Sequence, residues 1–186
     1  MNKKIVIFIS GKGSNAKNLI NYFSDNKELI ISHVFSNNKH SDLNSYLLNT
    51  KVQYFLFEEK EISGKVFDEL KKINPKLIIL AGFLKKIPPS YLSFFKNKII
   101  NIHPSLLPKY GGKGMYGSNI HKKVIKNKES ESGITIHYVS KEYDAGKIIF
   151  QKKIKVDKND TPKKLEEKIH KLEYEYFPKI VESLLT

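Results

Sequence analysis

Cysteine is absent from the 186 residues, which removes disulfides, thiolate catalysis and cysteine-based metal sites together. Arginine is absent as well: all 33 basic residues are lysine. Base readout and bidentate phosphate clamping usually recruit arginine's planar fork, and the lysines form no single dense block. The formal charge of +14 is therefore read as a solvated basic surface that attracts small anions, in preference to a nucleic-acid site. Apolar runs are short. The longest, Ile5–Ile9 and Leu77–Leu80, fall well below the roughly 18 residues that span a bilayer. The run after Met1-Asn2-Lys3-Lys4 passes straight into Ser10-Gly11-Lys12-Gly13 with no small-residue cleavage site, which argues against a signal peptide. A cytoplasmic protein with no membrane partner is expected. Repeats, linkers and internal boundaries are also lacking, so residues 1–186 are read as one domain.

What is present is a core-forming chain, 40% hydrophobic and 11% aromatic, which excludes a disordered one. Ile5–Ile9 and Leu77–Leu80 read as buried strands, and Leu29–Phe35, Val52–Phe57 and Ile99–Ile102 as further strands. Helical spacing separates them, with one helix marked by Ile62, Val66, Leu70 and Ile73. The β-α-β-α alternation predicts an α/β fold with a doubly wound, mostly parallel twisted sheet, whose ligands sit at the C-terminal strand ends. A long loop, Pro104–Gly117, is followed by a helix near Ser118–Lys126. Ile134, Ile136 and Tyr138 alternate with Thr135 and His137 as a half-exposed strand, and Ile148–Val156 is another. Thr161-Pro162 caps a long C-terminal helix with the apolar stripe Leu165, Ile169, Leu172, Tyr176, Ile180 and Leu184. Pro178 inside it should bend or split it.

Three stretches carry candidate chemistry. Gly11-Lys12-Gly13-Ser14-Asn15-Ala16 follows the first strand and opens a helix, whose free N–H groups suit an anion. The acid that a dinucleotide fold places after the second strand is missing at Phe35-Ser36-Asn37-Asn38, and no Walker spacing is present; a monophosphate fits better. Asn101 and His103 end the fifth strand on one face, an amide donor for an oxyanion beside an imidazole for proton transfer. Asp144 lies in the turn Tyr143-Asp144-Ala145-Gly146. His121, His137 and His170 are further polar candidates. No HExxH or carboxylate cluster supports a metal.

In this order and spacing, Ile9–Asn15, Leu80-Ala81-Gly82-Phe83, Asn101–Pro108, Gly112–Gly117, Ser132–Val139 and Tyr143–Gly146 resemble the glycinamide ribonucleotide formyltransferases, folate-dependent enzymes of purine synthesis. The resemblance implies a Rossmann-like formyltransferase fold with a phosphate-binding half at about 1–100 and a catalytic, folate-binding half at about 101–186. It implies Asn101, His103 and Asp144 as catalytic, with protonated His103 and Asn101 stabilising an oxyanion. Gly13, Ser14, Asn15, His170 and Glu173 would bind phosphoribosylglycinamide. Leu84, Lys85, Lys86, Ile87, Asn101, Ser140, Lys141, Glu142, Tyr143 and Asp144 would bind the co-substrate 10-formyltetrahydrofolate. The partners implied are small molecules, with no metal, and a monomer or homodimer.

Two features depart from the pattern. Lys85 stands where many relatives carry arginine, giving a point charge in place of a fork. A second family arginine has no counterpart near Gly64-Lys65. Methionyl-tRNA formyltransferase and formyltetrahydrofolate deformylase share the Asn-x-His and Asp arrangement, but normally carry an additional domain for which this length leaves no room. Outside that class, a basic nucleic-acid module and a dinucleotide-dependent oxidoreductase are the alternatives.

Overall fold

The computed structural model describes residues 2–186. Five strands, β1 (Lys3–Ile9), β2 (Leu29–Ser36), β3 (Gln53–Leu56), β4 (Leu77–Leu80) and β5 (Ile99–His103), run parallel. The strands β6 (Glu131–Tyr138) and β7 (Ile148–Lys155) add antiparallel, giving the order β3-β2-β1-β4-β5-β6-β7. The chain winds outward from β1 to β3, then returns to lay β4 on the other side of β1. That reversal leaves a crevice between the turns after β1 and β4, the place where such sheets receive ligands. The two turns are tied together here: the Ser10 N–H donates to the Gly82 carbonyl (3.0 Å) and the Leu84 N–H to Ser10 Oγ (3.0 Å).

Helices cover both faces. Alternation along β1 sends Ile5, Ile7 and Ile9 to one side, where they pack with α1 (Ser14–Tyr22), α2 (Leu43–Leu47), α5 (Ser118–Lys126) and α6 (Pro162–Ser183). Val6 and Phe8 face the other side, against α3 (Phe67–Ile73) and α4 (Pro89–Phe94). All five are fully buried, each contributing roughly 1.5–3 kcal/mol of apolar burial. A π-helical turn, Ile62–Val66, precedes α3, so the helix expected from Ile62 to Ile73 is regular only in its second half.

Three local expectations need correction. β6 is not half-exposed: Thr135 and His137 are as buried as Ile134 and Ile136. Its polar face is covered by the loop after β5, because Thr135 Oγ1 donates to the Ser105 carbonyl (2.6 Å) and accepts from the Leu107 N–H (3.0 Å). The stripe of α6 is also displaced by one residue in its second half. Leu165, Ile169, Glu173, Phe177 and Val181 are buried, whereas Leu172, Tyr176, Ile180 and Leu184 are only partly covered. A glutamate thus occupies the centre of the buried face. Finally, of the two outcomes expected at Pro178, the split does not occur: α6 is one helix from Pro162 to Ser183. A proline removes the hydrogen bond to the carbonyl four residues back, here that of Tyr174, and Asn18 Nδ2 donates to this carbonyl instead (3.0 Å).

Candidate active site

The turn after β1 is fixed by Gly13, whose φ of +75° places it in the left-handed region. A Cβ there would stand 3.0 Å from Leu43 Cδ2 and 3.2 Å from Ile9 Cδ1, so both backbone sign and space call for glycine. Gly13 is the N-cap of α1 and supplies no side-chain cap. The first-turn N–H groups of Ser14 and Asn15 therefore remain for a ligand.

This turn borders a cleft of about 650 Å³. Gly13, Ser14 and Asn15 line one end, with His170 and Glu173 from α6; Asn101, His103 and Asp144 stand in the same cleft, with Leu84, Lys85 and Lys86 at its edge. A side pocket of about 60 Å³ opens beside Asn101 and Asp144, and Ile87, Ser140, Lys141, Glu142 and Tyr143 contribute to its wall. Every residue given a catalytic or ligand-binding role by the resemblance lines one of these two cavities. The cleft is also lined by Lys12, Lys113 and Met115, which lie in stretches marked from sequence without a role of their own, and by Glu59 and Glu166, which sequence reading did not mark. They lie on turns, on a helix start and on an exposed helix flank, where composition carries no signal of facing a cavity.

At the end of β5, His103 is 4% exposed. Its Nε2 lies 2.8 Å from the Tyr110 carbonyl, which can only accept, so Nε2 carries the hydrogen. Nδ1 then faces Asp144 Oδ1 at 3.6 Å. Burial pushes the His103 pKa down, opposed by Asp144 and the Tyr110 carbonyl and aided by His137. A pKa below the usual histidine value favours the neutral ring. Asp144 is held by a backbone in the left-handed region (φ +54°) and by the Gly112 N–H, 2.9 Å from Oδ2. Burial would raise its pKa, but His137, His103 and the Gly112 N–H outweigh burial and keep the carboxyl below the usual range. The turn that presents it needs a small residue at Gly146, where a Cβ would fall 1.7 Å from the Tyr138 carbonyl.

His137, opposite Asn101 in the β5–β6 ladder, completes the group. Its Nδ1 donates to the Tyr138 carbonyl (2.9 Å), leaving Nε2 to accept from Asn101 Nδ2 (3.1 Å). One amide N–H of Asn101 is thereby fixed and the other is left for the cleft. His137 Nε2 is also 3.7 Å from Asp144 Oδ1.

At the far end, Glu173 Oε2 accepts from Asn15 Nδ2 (3.0 Å) and from His170 Nδ1 (2.7 Å). The hydrogen bond to Glu173 raises the His170 pKa against the cost of burial. Lys85, the departure noted above, is paired with Glu59 at 2.6 Å. Lys65 is engaged with Glu61 at 3.5 Å and lines neither cavity. Among the described residues, no group of three histidine or acidic side chains could hold a metal ion, and no helix is long and apolar enough to cross a membrane.

The family model described as "Formyl transferase" matches residues 3–181. The chain belongs to the formyl transferase family. Among similar proteins, the phosphoribosylglycinamide formyltransferase of Bacillus subtilis is 32% identical over 98% of this chain and 95% of its own length. The chloroplastic phosphoribosylglycinamide formyltransferase of Arabidopsis thaliana is 34% identical over 96% of this chain, which spans only 64% of that relative's length. The crystal structure of phosphoribosylglycinamide formyltransferase from Anaplasma phagocytophilum, 33% identical, superposes with a TM-score of 0.87 over 97% of this chain and 85% of that one. The mostly parallel sheet and long C-terminal helix are thus those of formyl transferase structures.

Proposed function

We propose that this formyl transferase family member moves the formyl group of 10-formyltetrahydrofolate onto the amine of 5′-phosphoribosylglycinamide, a step of purine biosynthesis. The observation that carries the reading is a single cleft lined both by a glycine-containing helix start and by Asn101, His103 and Asp144. The names of the relatives support the acceptor; the folate donor is the one implied by the family resemblance.

The phosphate sits on the N–H groups of Gly13, Ser14 and Asn15, and the ribose and glycinamide meet His170 and Glu173. The folate ring enters the side pocket beside Asn101, between the Lys85–Ile87 segment and the turn before Asp144. The amine nitrogen then attacks the formyl carbon. The formyl oxygen takes up negative charge, met by the free N–H of Asn101. His103, neutral at rest, accepts the amine proton on Nδ1. The resulting imidazolium is balanced by Asp144 and stabilises the oxyanion. When the tetrahedral adduct collapses, the bond from carbon to the folate nitrogen breaks, that nitrogen receives the proton from His103, and the formamide and tetrahydrofolate leave. His103 ends neutral, as it began.

The test is a spectrophotometric assay of tetrahydrofolate release from 10-formyltetrahydrofolate with and without phosphoribosylglycinamide. Release that depends on the amine substrate is expected. Release at the same rate without it would point to a hydrolase, and none with either would exclude the donor.

A further inference from the structure

A neutral imidazole carries one hydrogen, and two groups compete for that of His103. Asp144 lies beside Nδ1 at 3.6 Å, and a carboxylate by itself would draw the hydrogen to Nδ1. The Tyr110 carbonyl lies at 2.8 Å from Nε2 and draws it the other way. The shorter contact wins, and this outcome decides the chemistry, because only a bare Nδ1 can accept a proton on the side that faces Asp144 and the cleft. The carbonyl is not where ordinary chain geometry would place it. Tyr110 has φ +57°, a left-handed conformation that bulky residues avoid and that persists only where the surroundings over-determine it.

Those surroundings are specific. The Tyr110 hydroxyl donates to Glu129 Oε1 (2.9 Å) and accepts from Asn127 Nδ2 (2.8 Å). Lys109 joins Glu129 at 3.2 Å, and Ser105 Oγ holds the Lys109 carbonyl at 2.8 Å. Asn127 and Glu129 stand just past the end of α5, outside both cavities.

We propose that Tyr110 is a positioning residue: anchored through its hydroxyl by Glu129 and Asn127, it turns its backbone carbonyl onto His103 and locks the ring as the Nε2–H tautomer, reserving Nδ1 for proton transfer. The statement about tautomer stands on geometry alone, and its consequence for turnover rests on the function proposed above. Nothing in Tyr110, Asn127 or Glu129 touches the space assigned to substrate.

The experiment is two-bond nitrogen–proton NMR of [15N]histidine-labelled protein above neutral pH, with the His103 ring assigned by comparison with His103→Gln. Wild type should show His103 protonated on Nε2 and, as an internal control of opposite sense, His137 protonated on Nδ1. Tyr110→Phe keeps the ring but loses both anchoring hydrogen bonds, and should populate both His103 tautomers. Asn127→Ala with Glu129→Ala, which leaves Tyr110 intact, should do the same. Glu129→Gln keeps an acceptor oxygen and should retain most of the Nε2–H form. Circular dichroism melts establish that each variant is folded. In turnover, Tyr110→Phe should lower kcat about two- to tenfold, the value of a typical hydrogen bond, with KM unchanged. The acid limb of its kcat profile should move, since the groups around the ring (Asp144, His137, Glu173 and the Tyr110 carbonyl) would then act on a mixed population. A wild-type His103 protonated on Nδ1, a folded Tyr110→Phe protein with an unaltered tautomer, or a change confined to KM would each overturn the proposal. If wild type releases no tetrahydrofolate at all, the function falls while the tautomer result is still read.

Discussion

His103 and Asp144 face each other across 3.6 Å in a wall that water barely reaches, whereas His170 and Glu173 share a hydrogen bond of 2.7 Å at the other end of the same cleft, with His170 half-exposed. Both are a histidine beside a carboxylate, yet the His103 pKa is pushed down and the His170 pKa up. The difference shows which effect wins in each place. For His103 burial comes first, and a carboxylate beyond hydrogen-bond reach does not offset it. For His170 direct contact comes first and partial exposure keeps the burial cost small. In the proposed function the first pair exchanges a proton and the second holds the substrate.

The largest effect that could break this contrast is on turnover. His103→Ala or Asp144→Asn should lower kcat by at least about a hundredfold, as for a general acid–base group or its partner, without a matching rise in KM. Steady-state kinetics with both substrates varied would show it, and near-normal turnover would leave His103 as a structural histidine. At the other end the split should reverse. Glu173→Gln removes the negative charge that His170 faces, Asn15→Ala removes a hydrogen bond to that buried carboxylate, and either should raise KM for the phosphoribosyl substrate about tenfold. The kcat should change much less; a loss of kcat alone would show that the two ends are not divided as described.

The fold was legible wherever burial is simple. β1, β4 and the parallel order follow from continuous apolar runs, and β4 matches its sequence boundaries, Leu77–Leu80, to the residue. Reading failed where a distant segment decides burial. Thr135 and His137 look solvent-facing in an alternating strand, and only the loop after β5 buries them. Glu173 breaks an apolar stripe when the α6 register is taken through Ile169 and Phe177, and that break was a usable signal. A register through Leu172 conceals it, so that Glu173 is implied by the family resemblance alone. Asn101, His103 and Asp144 carry a recognisable spacing. The contacts that orient them, from Tyr110, Gly112 and His137, cross 7 to 36 positions of sequence and have no local pattern.

The same opposition should appear in stability against pH. His103, with its folded pKa lowered, contributes stability that is intact above the unfolded value of about 6.5 and is lost as pH falls through the lowered value. His170, with its folded pKa raised, contributes stability that is intact below about 6.5 and is lost as pH rises through the raised value. Urea melts between about pH 5 and 8 should show the acid-side loss reduced in His103→Gln and the loss on the alkaline side reduced in His170→Gln. If both substitutions acted on the same limb, the assignment of opposite causes would be wrong.

The smallest effect concerns a third pair, exposed where the other two are not. Lys85 and Glu59 meet at 2.6 Å with side chains 43% and 65% exposed. Such a pair adds little stability in water, so its consequence lies in the charge it presents to the cleft. Paired, Lys85 is nearly neutral toward an incoming anion; Glu59→Gln frees it. The variant should lower KM for the anionic co-substrate about twofold at low salt, with kcat unchanged, and the gain should fade as ionic strength shortens the Debye length to about 8 Å. Lys85→Ala should act in the opposite sense and be no more sensitive to salt than wild type. A gain in Glu59→Gln that survived high salt would mean that Glu59 blocks the cleft by its shape, and the pair would then belong with the structural contacts and not with the electrostatics of binding.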